Sequence, residues 1–365
     1  MNKRLRIAGI IGAIIISIII LSSPSNPPPI PEPKIDSTGN ESVKIIAKNL
    51  NKPWAIESVD NRIFFTESGG KIRVIDSEKL LEEPLASLRV ANVYDGGLLG
   101  IAAHPNFSDN SFLYVYYTYE EDGNLWNKIL RIKEAENKIQ DAKTIFDKIP
   151  GSIFGNGGVL KFGPDNKLYV GTATVSDASN DPQNINSLSG KILRLNDDGS
   201  IPDDNPIDDS PVFSYGHRNV RGMGWDQYGN LFASELGPTK NDELNLIQPG
   251  KNYGWPDIQC SNSEGSVSPI ACFDPSLEPG GLVFYTGDKL DFQNKMILAS
   301  LKAQNLFKVE INDDGSTSQN SIMGGLGRIR DVIESQDGYI YIITSNTDGK
   351  GFPSSDDDML LRIIK

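Results

Sequence analysis

From about residue 50 onward, the chain repeats one pattern of apolar and polar positions. A short run of β-branched and aromatic residues ends in Thr or Ser, and after a turn or loop a second run alternates charged and apolar residues. Such runs are typical of β-strands. The sequence therefore predicts six related pairs of strands, at 63–66 with 71–75, 112–118 with 128–132, 168–172 with 191–195, 231–234 with 243–247, 296–300 with 306–309, and 340–344 with 359–363.

The spacing of these pairs indicates how they assemble. The copies recur about every 45 to 65 residues, which is the range of propeller blades with variable loops. Turn residues precede several of the first runs and predict tight hairpins there, at Pro164-Asp165-Asn166, Tyr228-Gly229-Asn230 and Gln336-Asp337-Gly338. A β-sandwich is the alternative, but six regular copies favour an all-β, six-bladed β-propeller over residues 43–365.

The N-terminal segment indicates a location outside the cytoplasm. Lys3, Arg4 and Arg6 precede an apolar run at 7–21 in which only Ser17 is polar. A cationic flank followed by an apolar run predicts an N-terminal apolar helix and export of the rest of the chain. Residues 1–22 are either a signal anchor or a signal peptide, because the run is short for a free-standing span of about 20 residues.

The segment after the apolar run is compatible with a tether. Residues 23–42 contain six prolines between positions 24 and 33 and form a predicted Pro-rich linker. We therefore expect an extracytoplasmic propeller that is either secreted or anchored to the membrane by its N-terminal segment.

Net charge and cysteines give further information on the protein's partners and on its compartment. The chain carries 35 Lys and Arg against 48 Asp and Glu, a formal charge of −13, which argues against nucleic acid as a partner. Cys260 and Cys272 lie in a loop-like stretch rich in Ser, Gly and Pro. In an exported protein two such cysteines favour a disulfide, the alternative being two unrelated thiols.

The loops between the predicted strands carry an ordered set of motifs. They are Pro53-Trp54-Ala55, Gly96-Gly97-Leu98-Leu99-Gly100, His104-Pro105-Asn106-Phe107, Gly157-Gly158-Val159-Leu160, Tyr215-Gly216-His217-Arg218-Asn219, Glu235-Leu236-Gly237-Pro238, Asn252-Tyr253-Gly254-Trp255-Pro256, Ser300-Leu301-Lys302 and Arg328-Ile329-Arg330. In this order, over residues 45 to 365, the chain resembles the soluble glucose/sorbosone dehydrogenase family. These proteins are aldose sugar dehydrogenases that depend on pyrroloquinoline quinone (PQQ).

The resemblance implies a set of PQQ-binding residues. PQQ is a planar tricarboxylate with an ortho-quinone, and Arg is preferred where carboxylates are gripped by two hydrogen bonds. The alternative is that the two arginines of the last motif only alternate along a strand and form salt bridges to Asp331 or Glu334. The positions that match the family's cofactor ligands are Arg218, Asn219, Lys302, Arg328 and Arg330.

The resemblance also implies a calcium ion as a second cofactor. The family uses backbone carbonyls that match Gly237 and Pro238, with an acidic residue that matches Asp242 close by. Oxygen ligands of this kind suit calcium. The alternative is a Gly-Pro turn followed by an acidic strand start.

The family's catalytic pair is missing from this sequence. The position of its general base, a histidine, is Gly155, and the position of the partnering aspartate is Thr174. Glycine cannot accept a proton, and a positioned base contributes about 10²–10⁴-fold to such reactions. His217 is a weak candidate substitute, and Asp177 and Asp181 are further candidates.

Two classes of function therefore stay open. The first is PQQ- and calcium-dependent oxidation of aldose sugars or related alcohols, with electrons passed to an external acceptor and activity altered by the missing pair. The second is a non-catalytic, membrane-tethered propeller that binds a ligand or a partner protein. Retained cofactor cations favour the first class, and PQQ binding would separate the two.

Overall fold

The computed structural model describes residues 42–261, 263–312 and 316–365. The predicted N-terminal helix, the segment 1–22 and all but the last residue of the linker lie outside this part of the chain. Among the described residues, no helix has the length and apolar character needed to cross a membrane.

The described chain is almost entirely β-structure. Its only helical segments are α1 (Phe107–Asn110) and a 3₁₀ turn (Asp181–Gln183). The strands are β1 (Val43–Ala47), β2 (Pro53–Val59), β3 (Arg62–Glu67), β4 (Lys71–Asp76), β5 (Lys79–Leu80), β6 (Ala86–Ser87), β7 (Leu98–Ala103), β8 (Phe112–Glu121), β9 (Asn124–Ala135), β10 (Lys138–Pro150), β11 (Leu160–Phe162), β12 (Leu168–Gly171), β13 (Lys191–Leu195), β14 (Val212–Tyr215), β15 (Val220–Trp225), β16 (Leu231–Glu235), β17 (Asp242–Ile247), β18 (Ala271–Phe273), β19 (Pro279–Tyr285), β20 (Lys295–Ser300), β21 (Asn305–Ile311), β22 (Thr317–Gly324), β23 (Ile329–Glu334), β24 (Ile340–Thr344) and β25 (Leu360–Ile363).

These strands form six antiparallel sheets, which confirms the six-bladed β-propeller. Five sheets use consecutive strands, namely β2–β5 with β6 added at β4, β7–β10, β11–β14, β15–β18 and β19–β22. The sixth combines β23, β24 and β25 with β1, whose Val43 pairs with Ile363. Because the first strand completes the last sheet, the ring is closed by main-chain hydrogen bonds and few sheet edges are left open.

The repeated pairs found in the sequence are the second and third strands of each blade. The second strands are apolar on both faces because neighbouring blades cover them, and every residue of Ile340–Thr344 is buried. The predicted hairpin turns do join a blade's innermost strand to its second strand, as at Asn166 between β11 and β12. The alternation therefore marked the buried middle of each blade, where packing is most regular.

The innermost strands surround the central channel and contain glycines where chains approach closely. A Cβ at Gly222 on β15 would lie 2.6 Å from the Gly280 carbonyl oxygen on β19, closer than side chains tolerate. These strands are β2, β7, β11, β15, β19 and β23. The glycines in β7, β15 and β19 break the apolar alternation there, which explains why the repeat pattern did not find these three strands.

The predicted disulfide is present. Cys260 and Cys272 are joined, with their Cα atoms 5.7 Å apart. Cys272 lies on β18, the outermost strand of the fourth sheet, so the bond ties the loop before it to the blade edge.

Replacing both cysteines by serine should lower the free energy of unfolding by about 3 kcal/mol, because the bond restricts a short loop in the unfolded chain. Urea denaturation measures this difference. Wild-type protein treated with reductant should match the Cys260→Ser, Cys272→Ser variant, and equal midpoints for oxidised and reduced protein would contradict the expectation.

Candidate functional site

A cavity of about 170 Å³ lies on the axis of the ring and is lined from five of the six sheets. Its wall holds five cationic and three acidic side chains, an excess of two positive charges in a chain whose net charge is −13. A concave site of one sign attracts ligands of the other sign. The charged residues are Lys52, Arg221, Arg328, Arg330 and Lys350, with Asp95, Glu278 and Asp348.

The two arginines of the Arg-Ile-Arg motif differ in their partners. Arg328, just before β23, donates to Glu278 at 3.0 Å and to Asp348 at 2.8 Å, so its charge is already compensated. Arg330 forms no hydrogen bond or ion pair within the described part of the chain, and its Nε is buried without a partner. Burial and the neighbouring Arg221 lower the pKa of Arg330 to about 10.

The salt bridges considered as an alternative for these arginines are not formed. The Asp331 carboxylate accepts main-chain hydrogen bonds from Ile56 at 3.0 Å and Val332 at 2.9 Å. The Glu334 carboxylate accepts from Thr286. Arg330 therefore faces the cavity with the Trp54 ring beside it but with no carboxylate partner among the described residues.

Arg221 on β15 is a further cation of this wall that sequence reasoning missed. Its side chain is 6% exposed, the Asp95 carboxylate lies 3.6 Å from its Nη2, and its Nε has no partner. A buried guanidinium nitrogen without an acceptor is costly, and the cost is recovered when a ligand supplies acceptors. The available signal was an arginine inside the otherwise apolar and glycine-containing run Val220–Trp225.

A second cleft, of about 320 Å³, adjoins the cavity and collects several of the predicted site residues. Asp95 and Leu236 line both spaces. The cleft is lined by Gly155, Thr174, Arg218 and Asn219. The structure therefore places two of the cofactor candidates beside the two positions where the family's catalytic pair is missing.

Arg218 is engaged by neighbours on three sides. Its Nε and Nη2 donate to both oxygens of Asp177, at 2.9 and 3.0 Å. Its Nη1 donates to the Leu236 and Gly237 carbonyls at 3.0 and 2.7 Å. The adjacent Asn219 is buried, and its side-chain Oδ1 has no hydrogen-bond partner.

Lys302 stands apart from the other cofactor candidates. Its side chain is exposed and lines neither the cavity nor the cleft, although its neighbour Leu301 lines the cavity. Its amide donates to the Leu277 carbonyl at 3.0 Å, which fixes the backbone of this turn. The contact of Lys302 with a cofactor stays a prediction.

The residues predicted to bind calcium do not form a free set of oxygen ligands. Asp242 is fully buried, and its oxygens accept from the amides of Gly237, Leu277 and Glu278 and from the Ser276 hydroxyl at 2.7–2.9 Å. The Gly237 carbonyl already accepts from a guanidinium. Asp242 holds two loops together in this arrangement, and calcium binding by Gly237 and Pro238 stays a prediction.

His217 does not reach either space. The ring is fully buried, its Nδ1 lies 2.9 Å from Glu235 and its Nε2 lies 2.8 Å from Ser214. It also stacks on Tyr253 with centroids 4.6 Å apart. This geometry gives His217 a role in fixing the loop that carries Arg218, and it offers no nitrogen to a substrate.

Comparisons with known proteins agree on one family. The profile of the family described as Glucose / Sorbosone dehydrogenase matches residues 50–362. The chain is 31% identical over 341 residues to the aldose sugar dehydrogenase of Escherichia coli K12, covering 85% of this chain and 91% of that protein. It is 28% identical over 416 residues to quinoprotein glucose dehydrogenase B of Acinetobacter calcoaceticus, covering 85% and 86%.

A solved structure extends this similarity to the fold. The PQQ-bound form of the aldose sugar dehydrogenase from Streptomyces coelicolor superposes with a TM-score of 0.80 at 33% identity, covering 88% of this chain and 98% of that one.

Proposed function

Since this chain belongs to the glucose/sorbosone dehydrogenase family, we propose that it binds PQQ and oxidises aldose sugars or related alcohols, passing electrons to an external acceptor. When bound, PQQ supplies an ortho-quinone that accepts a hydride. The protein's part is to hold the polyanion, to orient the sugar's C1 and to accept the C1 hydroxyl proton.

The observation that carries the proposal is a pair of buried arginines whose Nε atoms have no acceptor. The Nε atoms of Arg221 and Arg330 are both buried without an acceptor, and both arginines line the axial cavity. A folded protein keeps such groups at a cost in stability, which a ligand with several carboxylates offsets through charge-assisted hydrogen bonds. PQQ fits this requirement because it is a planar tricarboxylate.

The residues that would hold PQQ can therefore be ranked by how many hydrogen-bonding atoms their present partners leave free. Arg330 and Arg221 have donors to spare, and the Asn219 Oδ1 is also free. Arg328 and Arg218 can contribute only by sharing donors with the carboxylates they now contact. Calcium belongs to the proposal as a candidate second cofactor, but its donor set does not fit as arranged, and we assign no step to it.

The missing catalytic pair sets the expected level of activity. Gly155 has φ +85°, a conformation that disfavours any other residue, although a Cβ there would meet no atom closer than 3.5 Å. Thr174 directs its hydroxyl to the Ser176 carbonyl at 2.9 Å. Neither position offers a proton acceptor, so turnover depends on another group.

We also propose that the propeller works outside the cytoplasm, secreted or tethered by its N-terminal segment. The support is the cationic flank, the apolar run at 7–21 and the proline-rich stretch that follows. The disulfide between Cys260 and Cys272 supports the same setting, because such bonds persist in oxidising compartments.

A titration of purified residues 42–365 with PQQ, with and without calcium, tests the proposed function. We expect the quinone absorption to shift on binding, and aldoses then to drive reduction of an artificial electron acceptor. Turnover should be scored separately from binding.

Two outcomes would count against the proposal. Absence of PQQ binding at every calcium concentration would reject the cofactor and favour the non-catalytic propeller. Binding without oxidation of any aldose or alcohol would leave a PQQ-binding protein that is not a dehydrogenase.

A further inference from the structure

The carboxylate of Asp95 lies where the family's catalytic base is missing. Asp95 and Gly155 line the same cleft, and the Gly155 amide is among the groups that lower the pKa of the Asp95 carboxyl. The two loops are tied further, because the Asp95 amide donates to the Ile153 carbonyl at 3.0 Å and the Asn156 side chain donates to the Asp95 carbonyl at 3.1 Å. Asp95 is therefore fixed against the very backbone position that lacks a side chain.

Asp95 is also accessible from both spaces of the site. It lines the axial cavity and the adjoining cleft, and its side chain is 18% exposed. Among the residues that line the cleft, the other carboxylate is Asp177, and both of its oxygens are held by Arg218. Asp95 is thus the carboxylate of the cleft that a substrate hydroxyl can approach.

We propose that Asp95 is the catalytic proton acceptor of this protein, with Arg221 as its positioning residue. This inference rests on the proposed function. The C1 hydroxyl of the sugar gives its proton to an Asp95 oxygen, while the C1–H bond breaks and its electron pair leaves as hydride to the ortho-quinone. The sugar is oxidised to the lactone by two electrons, and the quinone is reduced by the same two.

The surrounding charges keep Asp95 in the form that accepts a proton. Burial on its own would raise the pKa of the carboxyl, but Arg221, Lys350 and Arg330 together with the Gly155 amide hold that pKa below its usual value. The carboxylate is therefore ionised throughout the neutral range and loses its function only as the pH falls through this lowered pKa.

The rim next to Asp95 suits a sugar ring. Tyr94 and Phe154, each adjacent in sequence to Asp95 or Gly155, are 59% and 66% exposed and pack edge to face with centroids 5.1 Å apart. Exposed aromatic groups beside a polar cleft are typical of ligand-binding surfaces. They offer an apolar surface to the C–H face of a pyranose while Asp95 meets its C1 hydroxyl.

Replacing Asp95 by asparagine separates proton acceptance from binding. The asparagine amide keeps the size of the side chain and an oxygen acceptor but cannot take a proton, so aldose turnover should fall by about 10²–10⁴-fold. PQQ affinity, measured by absorbance without turnover, should stay equal or increase, because a negative charge leaves a cationic cavity. Asp122→Asn, at an exposed hairpin, is the matched control and should change neither quantity.

A second variant provides a readout that a purely structural role would not affect. Asp95→Ala should lose turnover in the same way, and added formate should restore part of it in proportion to the formate concentration. If Asp95→Asn binds PQQ and turns over at the wild-type rate, the role of Asp95 is overturned and the proposed function stands. Wild-type protein that binds no PQQ would overturn the proposed function and this inference with it.

Discussion

Arg330→Met should weaken PQQ binding by about 10- to 150-fold and should not destabilise the cofactor-free fold. One charge-assisted hydrogen bond is worth about 1.5–3 kcal/mol, which gives this range. The guanidinium lies over the Trp54 ring but has no hydrogen-bond or ion-pair partner in the described part of the chain, so its removal leaves no polar protein group unpaired. It also takes an uncompensated charge out of a buried position, and the free energy of unfolding should therefore stay equal or rise.

The opposite signs of these two effects make the experiment decisive. A residue kept for structure loses stability when replaced, whereas one kept for a ligand loses binding. Absorbance titration with PQQ measures the affinity, and urea denaturation of cofactor-free protein measures the stability. Arg89→Met, at an exposed position, is the matched control. A drop in stability with unchanged PQQ affinity would contradict the role of Arg330 as a cofactor ligand.

Lys191→Met should lower the free energy of unfolding by about 1–3 kcal/mol. The Lys191 ammonium is fully buried and donates to the carbonyls of Asp181, Pro182 and Ser189 at 2.9, 2.9 and 2.6 Å. The carbonyls of Asp181 and Pro182 keep main-chain donors from Asn184 and Gly216. Methionine fills the space but leaves the buried Ser189 carbonyl without its donor, at about 1–3 kcal/mol. The affected turn, Asp181–Gln183, follows the loop of Asp177, so PQQ binding should weaken as well.

Urea denaturation of the variant measures the loss. Lys138→Met is the matched control, because this lysine is exposed on β10 and the same exchange there should change stability by less than about 0.5 kcal/mol. An unchanged midpoint for Lys191→Met would show that water or a rearranged turn satisfies the Ser189 carbonyl.

The architecture was predictable because its signals are local. The alternation of apolar and charged residues in the second and third strands, as in 340–344 and 359–363, follows from the period of a β-strand between two covering blades. Turn residues such as Asn166 mark hairpins for an equally local reason. The number of blades and the family follow from these repeated and ordered segments.

Side-chain partners were not predictable in the same way, because they depend on residues far apart in sequence. Arg328 forms an ion pair with Glu278, fifty positions away, whereas Arg330, two positions on, forms no ion pair within the described part of the chain and leaves its Nε without an acceptor. The sequence pattern treats the two arginines alike. Only the packing of separate blades around the channel decides which cation is free to bind a ligand.

The sequence by itself therefore determined the six-bladed fold, the family, the paired cysteines and the absence of a side chain at Gly155. The tertiary structure decided which side chains lie beside Gly155. Asp95 and Arg221 come from different blades and carry no common motif, yet ring closure places them 3.6 Å apart beside the Gly155 amide. Loops from different blades meet at one end of the channel of a propeller. The chemistry there is therefore set by contacts between segments that lie far apart in sequence.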